Sequence, residues 1–447
     1  MIRRTVLEWR KLTYGEGPDE IPEVAAERLA RVAKASPLGG EEGARILQHG
    51  RKALRAQQVV GVLAAEGCTL EILPKIDGLG DGESPASQAA IRRNLVHMLA
   101  VALDLDIASG RIADLGWQRE NLLEVLIRLF ANKLVEAVHR GMPRRYVSHE
   151  DDLPMLRGRL HVMRQFTLLA ASPERLASRF DELSPDIALN QIMKAAVAKL
   201  LRLSRAAQNQ RTLRELSFAF AEVADVPVLL LRWDLVVLDR TNARWCELLT
   251  LAHLLLGERF QTTSSGNGRG FSLLFEMNTL FEEYVGRTLR RVLAGTELKV
   301  DLQGGLRYCL TELGEDEAQQ GKQRFMTKPD IIIRRGAERM LIIDTKWKRL
   351  APAMDDPKQG VSQADVYQMM AYGRIYGCSE LMLLYPHHDE LRCDEGVTSL
   401  HKVNGCDDRI MTATVGLSDL KSSAERLGAL VWQRLEPLVN FSEQQAS

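Results

Sequence analysis

The 447 residues carry 59 Lys and Arg against 59 Asp and Glu, with 45% hydrophobic and 26% charged residues. That balance fits a globular chain of two or three domains and excludes a protein that binds polyanions through bulk charge. No run of apolar residues is long enough to span a membrane, and the six cysteines (68, 246, 309, 378, 393, 406) have no CxxC or metal-finger spacing, which argues for reduced thiols and against an iron–sulfur cluster.

The opening Met1-Ile2-Arg3-Arg4-Thr5-Val6-Leu7-Glu8 lacks the apolar core of a secretory signal, and the scattered cysteines, read as reduced thiols, give a cytoplasmic expectation. Residues 1 to 87 read as a β-rich N-terminal domain. Thr5 to Trp9 is a predicted strand, Glu23 to Lys34 a helix, and Val59 to Ala64 with Thr69 to Pro74 a hairpin turning through Glu66-Gly67. The stretch Asp77 to Pro85, rich in glycine and aspartate, is the clearest linker. Residues 88 to 265 form a mainly helical middle region, with apolar periodicity over Asn121–Val138, Ile187–Leu203 and Thr241–Leu256. Between the first two helices lie Leu156-Arg157-Gly158-Arg159-Leu160 and Arg179-Phe180-Asp181-Glu182-Leu183-Ser184. Their arginines suit structural or partner contacts better than phosphate binding.

The polar, glycine-rich break from Thr262 to Gly270 sets the last boundary, and residues 266 to 447 are expected to form an α/β domain with a mixed sheet. No GxxxxGK[ST] phosphate loop occurs in the chain. A helix is predicted from Leu273 to Leu293, with Leu274, Met277, Leu280, Phe281, Tyr284, Val285 and Leu289 on one stripe at ~100° per residue. Glu282 falls at the edge of that stripe and Glu283 on its far side, so Glu282 is the carboxylate placed to reach a site beside the sheet.

The decisive feature is Lys328-Pro329-Asp330-Ile331-Ile332-Ile333 followed by Met340-Leu341-Ile342-Ile343-Asp344-Thr345-Lys346. Gly336-Ala337-Glu338 is the only turn-like stretch between the runs, which predicts a hairpin with a three-residue loop. Centring it on Ala337 sets Arg335 opposite Arg339 and Asp330 opposite Asp344, with Cβ atoms roughly 5 Å apart. Lys346, two residues on, shares that face. A bulge would shift the register by one. Two opposed carboxylates repel unless a cation sits between them, and Mg²⁺ (or Mn²⁺) held by one or two carboxylates plus water and phosphate oxygens is a common solution. A surface hairpin with solvated charges would show the same letters. The triplets Ile331-Ile332-Ile333 and Leu341-Ile342-Ile343 argue instead for strands buried on both faces.

Residues 320 to 349 hold nine Lys and Arg against three acids, a local excess of six that would draw phosphates. A further helix is predicted from Asp365 to Tyr376, placing Gln368 and Tyr372 on one face, where an amide and a phenol can position a phosphate or a water. Glu380 to Pro386 reads as a buried strand and about 418 to 437 as a final helix. His387 and His388, adjacent on an extended segment, point to opposite faces and suit no shared metal.

The order helix, hairpin, helix, strand resembles the restriction-endonuclease-like PD-(D/E)xK core. The residues that carry the likeness are Glu282, Asp330, Asp344-Thr345-Lys346 and Gln368-Met369-Met370-Ala371-Tyr372. The wider context of Phe275 to Val285, Lys328-Pro329-Asp330 and Asp344-Thr345-Lys346-Trp347-Lys348 is similar to McrC, the nuclease family of the McrBC modification-dependent restriction systems. So are Leu156-Arg157-Gly158-Arg159 and Asp181-Glu182-Leu183-Ser184 upstream. The resemblance implies Mg²⁺-dependent hydrolysis of DNA carrying modified cytosine. Asp330, Asp344 and the Thr345 carbonyl would hold the metal, and Glu282 would ligate it directly or through water. Lys346 would orient or deprotonate the attacking water, and Gln368 and Tyr372 would place the scissile phosphate. It also implies a partner, an McrB-like AAA+ ring that hydrolyses GTP, docks on the N-terminal region and has its GTPase stimulated. Two other readings stay open: a RecB-like nuclease of DNA ends without a GTPase ring, and a non-catalytic adaptor of an AAA+ partner.

Overall fold

The computed structural model describes residues 2–80, 82–105, 120–172, 174–240, 242–256, 260–265, 268–313, 320–350, 360–391 and 393–445. Of the positions named above, Met1, Asp81, Thr241, Gly266 and Asn267 lie outside the described residues. The chain divides into two compact units, Met1–Leu122 with Thr262–Ser447, and Leu123–Gln261. The seam near residue 262 lies close to the expected boundary at 265, while the N-terminal residues and the C-terminal α/β region share one unit.

In the first unit, the predicted hairpin forms as Val59–Ala65 and Cys68–Leu73, and Ile2–Leu7 joins it in parallel. The sheet is completed by Gly268–Glu276 and Phe260–Ser265, giving five strands in the order Ile2–Leu7, Cys68–Leu73, Val59–Ala65, Gly268–Glu276, Phe260–Ser265. The polar break thus contains strands, and the predicted helix start is corrected: Leu273 to Glu276 pair with Val62 to Val59, and the helix runs Met277–Val292. An apolar run that satisfies both periods is decided by its partner, here the buried Val59–Ala65 edge. Gly61 permits the close approach, since its φ is +136° and a Cβ there would lie 2.0 Å from the Leu273 carbonyl oxygen. The Glu23–Ala35 helix covers this sheet, packing Leu29 and Val32 against Leu63, Leu70 and Ile72. Three short strands that the sequence does not signal, Lys11–Thr13, Leu47–His49 and Ala53–Ala56, form a separate small sheet.

A six-stranded mixed sheet lies in the same unit, in the order Leu298–Leu302, Ile331–Arg335, Glu338–Thr345, Glu380–Pro386, Arg409–Val415, Gly396–Lys402. Its central strands run parallel where Glu380–Pro386 meets both neighbours, and there every residue from Met340 to Thr345 and from Glu380 to Tyr385 is buried. One face packs Ile332, Ile342, Leu381 and Leu383 against Met369, Tyr372 and Tyr376 of the helix Gln363–Tyr376. That helix is capped by Ser362, whose hydroxyl accepts from the Asp365 N–H, and ends on left-handed Gly377. Ile331 lies on the other face, beside Gly286 of the helix Met277–Val292. The last helix is Leu420–Gln445.

The second unit holds the helices Leu122–His139, Ala188–Leu203, Ala207–Ala219 and Cys246–Leu256. Glu124 ties three of them, accepting from Ser204 Oγ at 2.7 Å and Asn209 Nδ2 at 2.9 Å. The helical expectation is incomplete here. Arg145–Leu153, Leu176–Ser184 and Arg159–Leu160 form an antiparallel three-stranded sheet. Its residues are mostly exposed and polar, so no apolar alternation reveals it. The arginine-rich passages lie in it: Arg157 sits 4.1 Å over the Phe180 ring and 3.5 Å from Glu182, and Arg179 lies 3.4 Å from Glu150.

Candidate active site

The hairpin that carries the two aspartates turns more tightly than its sequence suggests. Arg335 pairs with Glu338 across a two-residue turn at Gly336 and Ala337, replacing the expected three-residue loop. A bulge between Ile333 and Arg334 then adds one residue to the opposite strand, and the pairs beyond it are Ile333 with Leu341, Ile332 with Ile342 and Ile331 with Ile343. One residue further along that register, Asp330 stands opposite Asp344. The tight turn and the bulge cancel, so the expected opposition of the carboxylates is reached by a different route.

The side chains converge at this end of the sheet. Asp330 Oδ2 accepts from the Thr345 N–H at 2.7 Å and the Thr345 hydroxyl at 2.9 Å. The Lys346 ammonium lies 2.6 Å from Asp344 Oδ2 and donates to Gln368 Oε1 at 3.3 Å. Gln368 Nε2 reaches Asp344 Oδ1 at 3.5 Å and donates to the Tyr372 hydroxyl at 2.7 Å, which in turn donates to the Lys328 carbonyl at 3.3 Å. Asp344, Lys346, Gln368 and Tyr372 therefore form one connected group, and Asp330 is bonded to Thr345, the residue between Asp344 and Lys346. Glu282 stands a step away, bonded to Gln303 at 2.9 Å, and Gln303 also accepts from Lys328. Its neighbour Glu283 is held by Arg287 at 2.8 Å.

The electrostatics are those of buried, neighbouring carboxylates. Burial first, then the negative charge of Glu282, pushes the Asp330 carboxyl up to about 6. Burial first, then Asp330, pushes Asp344 up to about 6 as well. Burial also raises Glu282 above the ordinary glutamate range. Asp344 Oδ2 is buried and, despite the nearby ammonium, takes no hydrogen bond of good geometry. Among the described residues no three His, Cys, Asp or Glu side chains form a ready metal cage. The donors on offer are two acidic oxygens and neighbouring carbonyls, a set that suits a hard, water-retaining divalent ion rather than a caged one. Burial alone would lower the Lys346 pKa, but Asp344, then Asp365 and Asp330, outweigh it and the net shift is upward. Burial pushes the Tyr372 phenol up to about 12, so it stays a hydroxyl.

Two contacts escaped the sequence reading. Asp365 is buried between Lys346, at 4.0 Å, and Lys348, and it accepts from the Tyr385 hydroxyl at 3.4 Å. Trp347, next to Lys346, donates from Nε1 to Glu8 at 2.9 Å and stacks edge-on to Phe281 at 5.5 Å. Neither could be found locally, because each joins residues distant in the chain. The local cation excess is mostly spent on internal partners: Arg324 on Glu312, Arg334 on Asp301, Arg335 on Glu338, Lys348 on Asp365 and Arg349 on Asp77 and Glu390.

The chain is similar to known proteins over most of its length. The Type IV methyl-directed restriction enzyme EcoKMcrBC of Escherichia coli (strain K12) is 21% identical over 310 residues, 66% of this chain and 84% of that protein. A chain in the half-complex from the tetradecameric assembly of Thermococcus gammatolerans McrB AAA+ hexamers with bound McrC superposes with a TM-score of 0.72 at 22% identity, covering 96% of this chain and 99% of that one. A chain of the Thermococcus gammatolerans McrBC complex matches with a TM-score of 0.54 at 25% identity, covering 65% and 88%. No helix among the described residues is long and apolar enough to cross a membrane. The family described as McrBC 5-methylcytosine restriction system component matches residues 54–386, and the chain belongs to it.

Proposed function

We propose that this chain is the McrC-like nuclease subunit of a modification-dependent restriction system, hydrolysing DNA phosphodiester bonds with Mg²⁺ in a PD-(D/E)xK site. The observation that carries the reading is the convergence of Asp330, Asp344 and Lys346 at one end of the mixed sheet, with Gln368 and Tyr372 bonded to each other beside them. Two carboxyls raised first by burial, then Asp330 by the charge of Glu282 and Asp344 by that of Asp330, would be relieved by a divalent ion. Asp330, Asp344 and the Thr345 carbonyl would hold it, with Glu282 reaching it through water. Such an ion supplies positive charge against the phosphate's developing negative charge and lowers the pKa of water.

The remaining work falls to the chain's own groups. Lys346, kept protonated by its acidic neighbours, acts as an ammonium: it orients the attacking water and offsets charge on the phosphate. Gln368, fixed by Tyr372, presents its amide to the scissile phosphate. Nucleotide hydrolysis is assigned to an McrB-like AAA+ GTPase ring, because these 447 residues carry no phosphate loop and the structural neighbours are assemblies of McrB AAA+ hexamers with bound McrC. That association favours the ring-dependent reading over a RecB-like end nuclease.

The test is a cleavage assay with the partner ring, GTP and Mg²⁺ on methylated and unmethylated DNA. Lys346→Ala should abolish cutting of the methylated substrate while leaving stimulation of the partner's GTPase intact. Full cutting by that variant would remove the assigned site, and cutting of linear DNA without the ring would return the end-nuclease reading.

A further inference from the structure

Lys346 sits between two carboxylates, and the arrangement gives them different tasks. Its ammonium is 2.6 Å from Asp344 Oδ2 and 4.0 Å from Asp365 Oδ1. The Asp365 carboxylate is buried and fixed from its other side, with Oδ2 accepting from Lys348 and from the Tyr385 hydroxyl at 3.4 Å. Its backbone N–H is bonded to Ser362 Oγ at 3.2 Å, which pins it in the first turn of the helix that also carries Gln368. Asp365 is thus a stationary anion whose free oxygen faces Lys346.

We propose that Asp365 is a positioning residue that receives the Lys346 ammonium when a divalent cation takes Asp344. This rests on the metal-dependent reading given above. A charge-assisted N–H···O contact is shortest near 2.7–2.9 Å, so a shift of roughly 1 Å by the flexible lysine head turns the 4.0 Å approach into a bond. Before a cation binds, Asp344 is the stronger partner. Once a divalent ion neutralises Asp344, the carboxylate oxygen left to the ammonium is Asp365 Oδ1, at 4.0 Å. The transfer frees an acidic oxygen of Asp344 for the ion and leaves the two ammoniums, Lys346 and Lys348, on separate oxygens of Asp365. It also leaves Lys346 anchored by Asp365 and Gln368, charged and beside the phosphate site.

The experiment is a thermodynamic cycle on the full chain, read by the electron paramagnetic resonance signal of free Mn²⁺ rather than by cleavage. Asp365→Asn should weaken Mn²⁺ binding by roughly tenfold, in the range seen for outer-shell partners of metal ligands. In a Lys346→Met background there is no ammonium to relocate, so the same substitution should change affinity less than about twofold. Asp365→Glu, which keeps the charge, should restore most of the wild-type affinity. Equal weakening in both backgrounds, or none in either, would overturn the role of Asp365 while leaving the metal site standing. Absence of Mn²⁺ binding to the wild-type chain would remove the metal site itself and this inference with it. Should the asparagine variant not fold, Asp365→Ser carries the same cycle with a smaller uncharged side chain.

Discussion

Asp344→Asn should stabilise the protein in the absence of divalent cations. The Asp344 carboxyl is raised from 3.8 to about 6, first by burial and then by Asp330. A folded pKa above the unfolded one means that folding disfavours the ionised form. The stability associated with the group is complete below about pH 3.8 and is lost as pH rises through about 6. At about 1.4 kcal/mol per pH unit, the ionised side chain costs up to about 3 kcal/mol near neutral pH. Asparagine has nearly the same shape and no charge, so it recovers part of that sum. The figure is a ceiling, because the variant also takes from Lys346 its nearest anion at 2.6 Å. The assay is urea unfolding in EDTA. Near pH 7.5 the variant should gain up to about 3 kcal/mol, near pH 5 about half as much, and the gain should vanish at about pH 3.8 and below. Added Mg²⁺ should then stabilise the wild type and not the variant. A variant less stable than wild type near pH 7.5 in EDTA would show that Lys346 fully compensates the buried carboxylate, and would refute the reasoning that the pair is poised for a cation.

Three further outcomes follow from neighbouring contacts. Tyr372→Phe removes the hydroxyl that holds Gln368 at 2.7 Å, so turnover should fall about tenfold, the worth of one such bond, with little change in GTPase stimulation. Gly61→Ala places a Cβ 2.0 Å from the Leu273 carbonyl oxygen at a φ of +136°, and should cost roughly 2 kcal/mol or more in urea unfolding. Glu8 is pushed up to about 7 by burial, although it accepts from the Lys75 N–H and from Trp347 Nε1. Glu8→Gln should therefore stabilise the fold increasingly as pH rises from about 4.5 to about 7 and level off above that, and an advantage that shrinks over that range would contradict the assigned sign.

The parts of the fold that were legible in the sequence are those in which burial imposes a local pattern. The apolar triplets beside Asp330 and Asp344 show strands buried on both faces, and the stripe from Met277 to Leu289 shows a helix packed along one side. Leu273 to Glu276 fits both periods, and only its pairing with Val59–Ala65 makes it a strand. The sheet of Arg145–Leu153, Leu176–Ser184 and Arg159–Leu160 gives no signal because most of its side chains face water. The register of the aspartate hairpin was legible in outcome and not in detail, since a shorter turn and a compensating bulge preserve the pairing beyond Ile333. Around the site, Gln368 and Tyr372 could be read from helical spacing. Asp365 could not, because its role comes from the meeting of the helix Gln363–Tyr376 with the strand end at Lys346. Trp347 with Glu8 is the extreme case, a bond across 339 positions of chain.

The most direct measurement is anomalous diffraction from crystals of the full chain soaked in Mn²⁺. A single strong peak should lie in contact with both the Asp330 and Asp344 carboxylates, and it should disappear in Asp330→Asn. A peak held by other residues alone, or none at Mn²⁺ concentrations that support cleavage, would contradict a metal site built on the aspartate hairpin.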